Sequence, residues 1–328
     1  MIGYYAHHQG SGHVNRATSI AAAVREPLTV LSSRPRPGSS DVAWVELPLD
    51  IDDDVVDYVD PTAGGIVHWA PTGVGGLTDR MAAIAAWIVA ERPRLFVVDV
   101  SVEVALFVRL LGVDVVVVAM PGERDDEPHR LAYRLATAII APWSDSVYDP
   151  EWLHPYAEST TYVGAISRFD GRARQPIPGA AEILVLGGAG GTSLTTTDVE
   201  HAASANSGYR WKAAGIDRAS WVDDIWPLLC SASVVVTHAG QNAIADIAAA
   251  RVPAIVIAQS RPFAEQDATA RALHRAGAAV VTTEWPDPGQ WQPLLHSAAE
   301  LDLDAWTQLR QPGAATRVAE LLDSIVAR

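Results

Sequence analysis

Short, continuous apolar runs recur along the chain at near-regular spacing. In the first half they occupy 2–6, 28–31, 43–47, 95–99, 113–119 and 139–140. In the second half they occupy 182–186, 234–236, 254–257 and 278–282, and 209–212, which is not apolar, reads as one further strand. Such β-branched runs without polar alternation predict parallel strands buried on both faces. Between them lie stretches of helical period, at about 14–24, 77–91, 102–111, 195–205, 241–250 and 314–327, with a shorter helix leading to Cys230. Strand and helix in alternation predict an α/β chain with right-handed crossovers.

Residues 1–166 read as one Rossmann-like domain whose last strand is Ile139-Ile140, after which 143–155 wanders. The arginines, prolines and glycines of 167–180 read as an interdomain linker. A second domain follows at 181–312, then a terminal helix within 313–328. A length of 328 residues suits two such domains.

Polar chemistry is densest at 233–266. The strand at 234–236 turns through Thr237, His238, Ala239 and Gly240 into an Ala-rich helix, with Ile244 and Ile247 at i, i+3 spacing, that Pro253 ends. A helix N-terminus at the carboxyl end of a parallel strand offers free N–H groups to a phosphate. Many such units bind nothing. Here His238, Gln241 and Asn242 gather donors on the turn, Asp246 follows a turn later, and Glu265-Gln266 comes after the next strand. That set supplies donors for phosphates, a carboxylate for hydroxyls and an acid–amide pair for a second polyol.

Two glycine-rich loops accompany it. Gly187-Gly188-Ala189-Gly190-Gly191-Thr192-Ser193 follows the first strand of the second domain and suits a diphosphate through its backbone N–H groups. His7-His8-Gln9-Gly10-Ser11-Gly12-His13-Val14-Asn15-Arg16 follows the first strand of the chain. It is not a dinucleotide fingerprint. Arg16 stands where the third glycine belongs, and the second strand ends in Ser32-Ser33 without a ribose carboxylate.

These segments resemble the GT-B glycosyltransferases, and glycosyltransferase family 28 in particular. That family includes the peptidoglycan lipid-intermediate N-acetylglucosaminyltransferase. The similar UDP-glucosyl- and glucuronosyltransferases carry His-Cys-Gly-x-Asn-Ser, a glutamate about one turn on, and a later Asp/Glu-Gln pair. This chain has His238-Ala239-Gly240-Gln241-Asn242-Ala243, then Asp246, then Glu265-Gln266. It departs in two places: Ala243 lacks the hydroxyl, and Asp246 is shorter than the usual glutamate.

The resemblance implies two Rossmann-like domains facing across a cleft, with the terminal helix packing back on the first. It implies a UDP- or dTDP-sugar held by Gly12, Gly188, Gly190, Gly191, His238, Gly240, Gln241, Asn242, Asp246, Glu265 and Gln266. The backbone of Trp221 and Val222 would lie beside the base. It also implies an acceptor on the first domain, where His13 faces the acceptor as general base and Asp99, ending a strand, orients it. Asp99 as a plain capping residue is an alternative, and Glu103 and His129 are alternative bases. Arg16, Trp69, Arg124 and His129 fall on the acceptor side. The stretch 120–129 reads as a charged loop with Arg124, Asp125, Asp126 and His129 exposed toward the cleft. Trp69, in the Gly/Pro-rich 61–76, is an acceptor platform or a lid anchor.

The reaction expected is inverting transfer of a sugar to a hydroxyl acceptor, with no cofactor and no metal. Two alternatives stay open. A non-hydrolysing nucleotide-sugar epimerase would show a Ser-Gly-Gly turn with adjacent glutamates, where this chain has only Asp246. A nucleotide-sugar binder without activity would need neither His13 nor Asp99.

Composition narrows the partners. A formal net charge of −15 argues against nucleic acid and against an anionic membrane surface. Cys230 is the single cysteine, which excludes a disulfide framework and suits a reducing cytoplasm. There is no basic segment before an apolar one at the amino terminus, and no apolar run approaches the ~18 residues of a spanning helix. Asp50, Asp52, Asp53, Asp54, Asp57 and Asp60 crowd one loop. An Asp-x-Asp metal site of the GT-A kind needs a strand-end setting, so this run reads instead as a solvated face.

Overall fold

The computed structural model describes residues 1–38, 40–52, 57–175, 181–188 and 190–328. Asp53, Asp54, Ala189 and the 176–180 part of the linker lie outside them. The first domain contains β1 (Ile2–Ala6), α1 (Gly12–Ala21), β2 (Leu28–Ser32), β3 (Ala43–Glu46), α2 (Gly75–Glu91), β4 (Leu95–Asp99), α3 (Val102–Leu110), β5 (Asp114–Val118), α4 (Glu127–Leu135), β6 (Ala138–Ala141) and β7 (Thr160–Tyr162). The second contains β8 (Glu182–Leu186), α5 (Thr196–Ala205), β9 (Arg210–Ala214), α6 (Trp226–Ser231), β10 (Val234–Thr237), α7 (Gln241–Ala250), β11 (Ala254–Ile257), α8 (Glu265–Arg275), β12 (Val280–Thr282), α9 (Trp291–Ala299) and α10 (Ala305–Arg310), and α11 (Ala314–Val326) ends the chain.

Among the described residues the strands form two sheets, ordered β3-β2-β1-β4-β5-β6-β7 and β12-β11-β10-β8-β9. All pairings are parallel, and Ala6 lies beside Asp99 in the β1–β4 register. Each order reverses once, between β1 and β4 in the first sheet and between β8 and β10 in the second. Open α/β sheets bind ligands at such reversals, where diverging loops leave a crevice at the strands' carboxyl ends.

Helices cover both faces of each sheet. Val14, Ala17 and Ile20 of α1 share a core with Ile2, Tyr4 and Val97. Ile84, Ile88, Val104 and Val108 of α2 and α3 pack on the opposite face with Tyr5, Phe96 and Val98. In the second domain Ile244 and Ile247 of α7 pack with Leu184 and Val235, and Trp291 and Leu295 of α9 with Ile183 and Val236. Ala314, Val318, Leu322 and Val326, four residues apart along α11, join the first domain's core beside Ile2 and Val14. Burying Val318 and Leu322 completely contributes roughly 1.5–3 kcal/mol each, which ties the chain's end to its beginning.

Several elements differ from the sequence reading. Ile139-Ile140 does not close the first sheet, because β7 pairs beyond β6. That strand is three residues of half-buried Thr-Thr-Tyr and lacks an apolar run. Residues 127–135 are helical, not loop; Asp126 caps α4 by accepting from His129 N–H, with proline in the first turn. Glu265-Gln266 opens helix α8, which like α9 and α10 the sequence reading does not assign. The acidic run is not a simple solvated face: Asp50 pairs with buried Arg80 at 2.6 Å, and Asp52 accepts from Gly75 and Gly76 N–H at 2.8 and 2.7 Å at the start of α2.

Candidate active site

The two sheet reversals meet across the domain boundary. On the first domain, β4 ends at Asp99, and Val100 then takes φ +67, a conformation a β-branched residue adopts only under constraint. Asp99 is fully buried. Its Oδ1 accepts from His13 Nδ1–H at 2.8 Å. Its Oδ2 accepts from Tyr4 Oη–H at 2.9 Å and forms an ion pair with Arg16 Nε at 3.1 Å. Burial pushes this carboxyl upward, but Arg16, His13 and the hydrogen bonds outweigh it and hold Asp99 below the ordinary range. An ionised carboxylate only accepts, so neutral His13 carries its proton on Nδ1 and leaves Nε2 with a lone pair. His7 lies edge-on to His13 at 6.0 Å. Burial, then the neighbouring histidines and Arg80, depress its pKa to about 3, leaving it uncharged.

On the second domain, no side chain caps α7 at Gly240, so the first-turn N–H groups stay open to a ligand. This end abuts the first domain: a Cβ on Gly12 would lie 2.4 Å from Asn242 Nδ2, and one on Gly10 would lie 3.6 Å from the Gly190 backbone. Gly12 therefore leaves room for the Asn242 side chain, and Gly10 lets backbone lie beside the Gly190 backbone across the boundary. A narrow crevice there is lined by Arg16, Pro142, Ile166, Gln241 and Asn242.

His238 departs from its expected part as a direct phosphate donor. Its Nδ1–H donates to the Ile257 carbonyl at 2.9 Å, and its Nε2 accepts from Thr192 Oγ1–H at 2.7 Å. Burial lowers its pKa, with Arg261 adding to the effect against the Ile257 hydrogen bond. His238 therefore fastens the glycine loop to β11. Arg261, which carries no sequence signal of its own, holds the same loop by donating to the Gly190 and Gly191 carbonyls, both at 2.9 Å. Gly188 is exposed beside them.

Asp246 also differs. It is buried, its carboxylate taken up by Ser167 Oγ–H at 2.7 Å and Arg168 Nε–H at 3.1 Å. Burial raises its pKa to about 6 against the pull of Arg168 and Ser167. It thus anchors the crossover between domains. Gln266 is buried and accepts from Gln259 N–H at 2.9 Å, while Glu265 meets Arg124 at 3.4 Å. Trp221 and Val222 lie exposed beyond the end of β9.

The acceptor-side group divides. Arg16 is buried against Asp99, not open to an acceptor. Arg124 and His129 are buried as well. They sit in a contact where Phe263 packs at 4.8 Å on His129 and 4.5 Å under Arg124, and its carbonyl accepts from Glu123 N–H at 2.7 Å. Trp69 is half-buried, its Nε1–H on the Asp50 carbonyl at 2.9 Å. Glu103 is occupied as an alternative base: it accepts from His68 and Trp69 N–H at 2.7 and 2.9 Å and from Ser101 at 2.8 Å. Among the described residues, His7, His8 and Asp50, and separately His68, Asp126 and His129, could each offer three ligand atoms to a cation. Each group already has a guanidinium against it, Arg80 on Asp50 and Arg124 on His129 at 3.2 Å.

The strand–turn–helix run from β8 through β12 has a counterpart among known proteins. Residues 183–285 match the glycosyltransferase family 28 C-terminal domain. In fold the chain is similar to the glycotransferase of kitacinnamycin at 15% identity, covering 99% of this chain and 98% of that one with a TM-score of 0.70. It is similar to the calicheamicin glycosyltransferase CalG4 at 18% identity, 100% and 98% coverage and a TM-score of 0.67. Acinetobacter baumannii MurG follows at 14% identity, 98% and 99% coverage and a TM-score of 0.62. No curated protein matches the chain in sequence. At these identities the likeness is one of fold. The architecture is GT-B, with the family 28 match confined to the second domain. Among the described residues no helix is long and apolar enough to cross a membrane.

Proposed function

We propose that the protein transfers a sugar from a UDP- or dTDP-sugar to a hydroxyl acceptor, with inversion and without a metal. The observation that carries this reading is the His13–Asp99 pair, placed at one sheet reversal and facing the uncapped start of α7 at the other. The acceptor hydroxyl loses its proton to His13 Nε2 as its oxygen bonds to the anomeric carbon. The bond from that carbon to the donor's diphosphate oxygen breaks, and the diphosphate leaves with the electron pair. Imidazolium formed at His13 is stabilised by the Asp99 carboxylate 2.8 Å from Nδ1.

On the leaving side, charge would be received by the open N–H groups of α7 and by the 188–191 loop. Ala243 contributes no hydroxyl. The Arg261 guanidinium, held at the same loop, would supply the compensating positive charge. Glu265 and Gln266 would meet the sugar hydroxyls.

Purified protein incubated with UDP- and dTDP-sugars, a panel of hydroxylic acceptors and EDTA tests the reading. Free nucleoside diphosphate and a glycosylated acceptor are expected in EDTA as in Mg²⁺. Epimerised donor without acceptor, or donor binding without turnover, would replace this reading with one of the two alternatives.

A further inference from the structure

Arg16 is the charged group that the expected machinery leaves unexplained. His13 and Arg16 stand at i, i+3 on α1, so both side chains descend on one carboxylate. The guanidinium is buried, with Nε on Asp99 Oδ2 at 3.1 Å. Its Nη2 reaches Gln241 Oε1, on the first residue of α7, at 3.4 Å and the Met120 sulfur at 3.6 Å.

The other groups facing His13 come from every element around it. β4 supplies Asp99, and β1 supplies Tyr4 through Asp99. The loop after β1 supplies His7, with His8 stacked behind it at 4.5 Å and Arg80 3.4 Å from His8 Nδ1. At its start α7 brings the uncharged Gln241 and Asn242 to the crevice beside Arg16, while its Asp246 is held by Ser167 and Arg168.

A histidine–aspartate pair alone carries a negative charge and readily keeps a proton on the imidazole. With Arg16 added, the set is neutral while His13 is uncharged, and a proton there creates unmatched positive charge in a poorly hydrated place. We propose that Arg16 is a positioning residue for the base: it fixes the Asp99 carboxylate and offsets its charge, keeping His13 in its proton-accepting form at neutral pH. The inference rests on His13 being the base.

Two measurements test it on the full chain: the pH dependence of donor turnover, and the NMR titration of isotopically labelled histidine, with the His13 signal assigned from His13→Ala. In Arg16→Met the His13 titration should move up by roughly one to two pH units. Turnover should then fall about tenfold or more near pH 6 and recover toward pH 9. Arg16→Lys should restore the parent profile. Arg16→Gln, which keeps a polar group beside Asp99 without the charge, should behave as Arg16→Met does and serves if that variant does not fold. An unmoved titration, or a rate loss equal at every pH, overturns the proposal. The titration needs no substrate, so a chain that turns over no donor would refute the proposed reaction and still decide what Arg16 does.

Discussion

His13 and Asp99 share a hydrogen bond, yet their removal should have unequal consequences. Asp99 accepts from His13 and Tyr4 at 2.8 and 2.9 Å and is ion-paired with Arg16 at 3.1 Å. In His13→Ala the carboxylate keeps the Tyr4 hydrogen bond and the Arg16 ion pair, so stability should fall by only about 1 kcal/mol, the worth of one ordinary hydrogen bond. Turnover should fall roughly 10²–10⁴-fold, the usual contribution of a general base. Asp99→Asn is different. Its amide can present oxygen to His13 only by turning its NH₂ toward Tyr4 and Arg16, and Arg16 cannot accept. The buried guanidinium would lose its counter-charge, which costs roughly 3–5 kcal/mol, a large part of a typical 5–15 kcal/mol stability. Urea unfolding and nucleoside diphosphate release, measured on both variants, separate the two effects. If Asp99→Asn unfolds at the parent urea concentration, or if His13→Ala loses as much stability as Asp99→Asn, Asp99 is not the shared counter-ion described here.

Two further outcomes are expected. Arg261→Met removes the donations to the Gly190 and Gly191 carbonyls; donor Kd by calorimetry should rise roughly 5–30-fold, equivalent to about 1–2 kcal/mol, and an unchanged Kd would take Arg261 out of the donor site. His129 is held to a pKa of about 4 by burial first and Arg124 second, below the ordinary ~6.5. The folded state therefore binds fewer protons than the unfolded chain between those values. This stability is present above about pH 6.5 and is lost as pH falls toward 4, by roughly 3 kcal/mol. His129→Gln should flatten Tm against pH across that window, and a parent-like slope would place the acid sensitivity elsewhere.

The strands Ile2–Ala6, Leu95–Asp99, Glu182–Leu186 and Ala254–Ile257 were legible to the residue. Burial on both faces removes polar positions, and the run ends where the strand does. The glycine loops at 10–12 and 187–191 and the turn at 237–240 were legible for a like reason, since a chain reversal into a helix is a local event. Only the tertiary structure decided what the charged residues do. His13 meets a carboxylate 86 positions away, Asp246 closes on Ser167 and Arg168 79 and 78 positions before it, and Arg16 and Arg124 turn inward to Asp99 and Glu265. Such a group is worth burying only where the fold brings it a counter-charge or hydrogen-bond partner. That partner is chosen by strand order and helix packing, over distances that residue spacing along the chain does not encode.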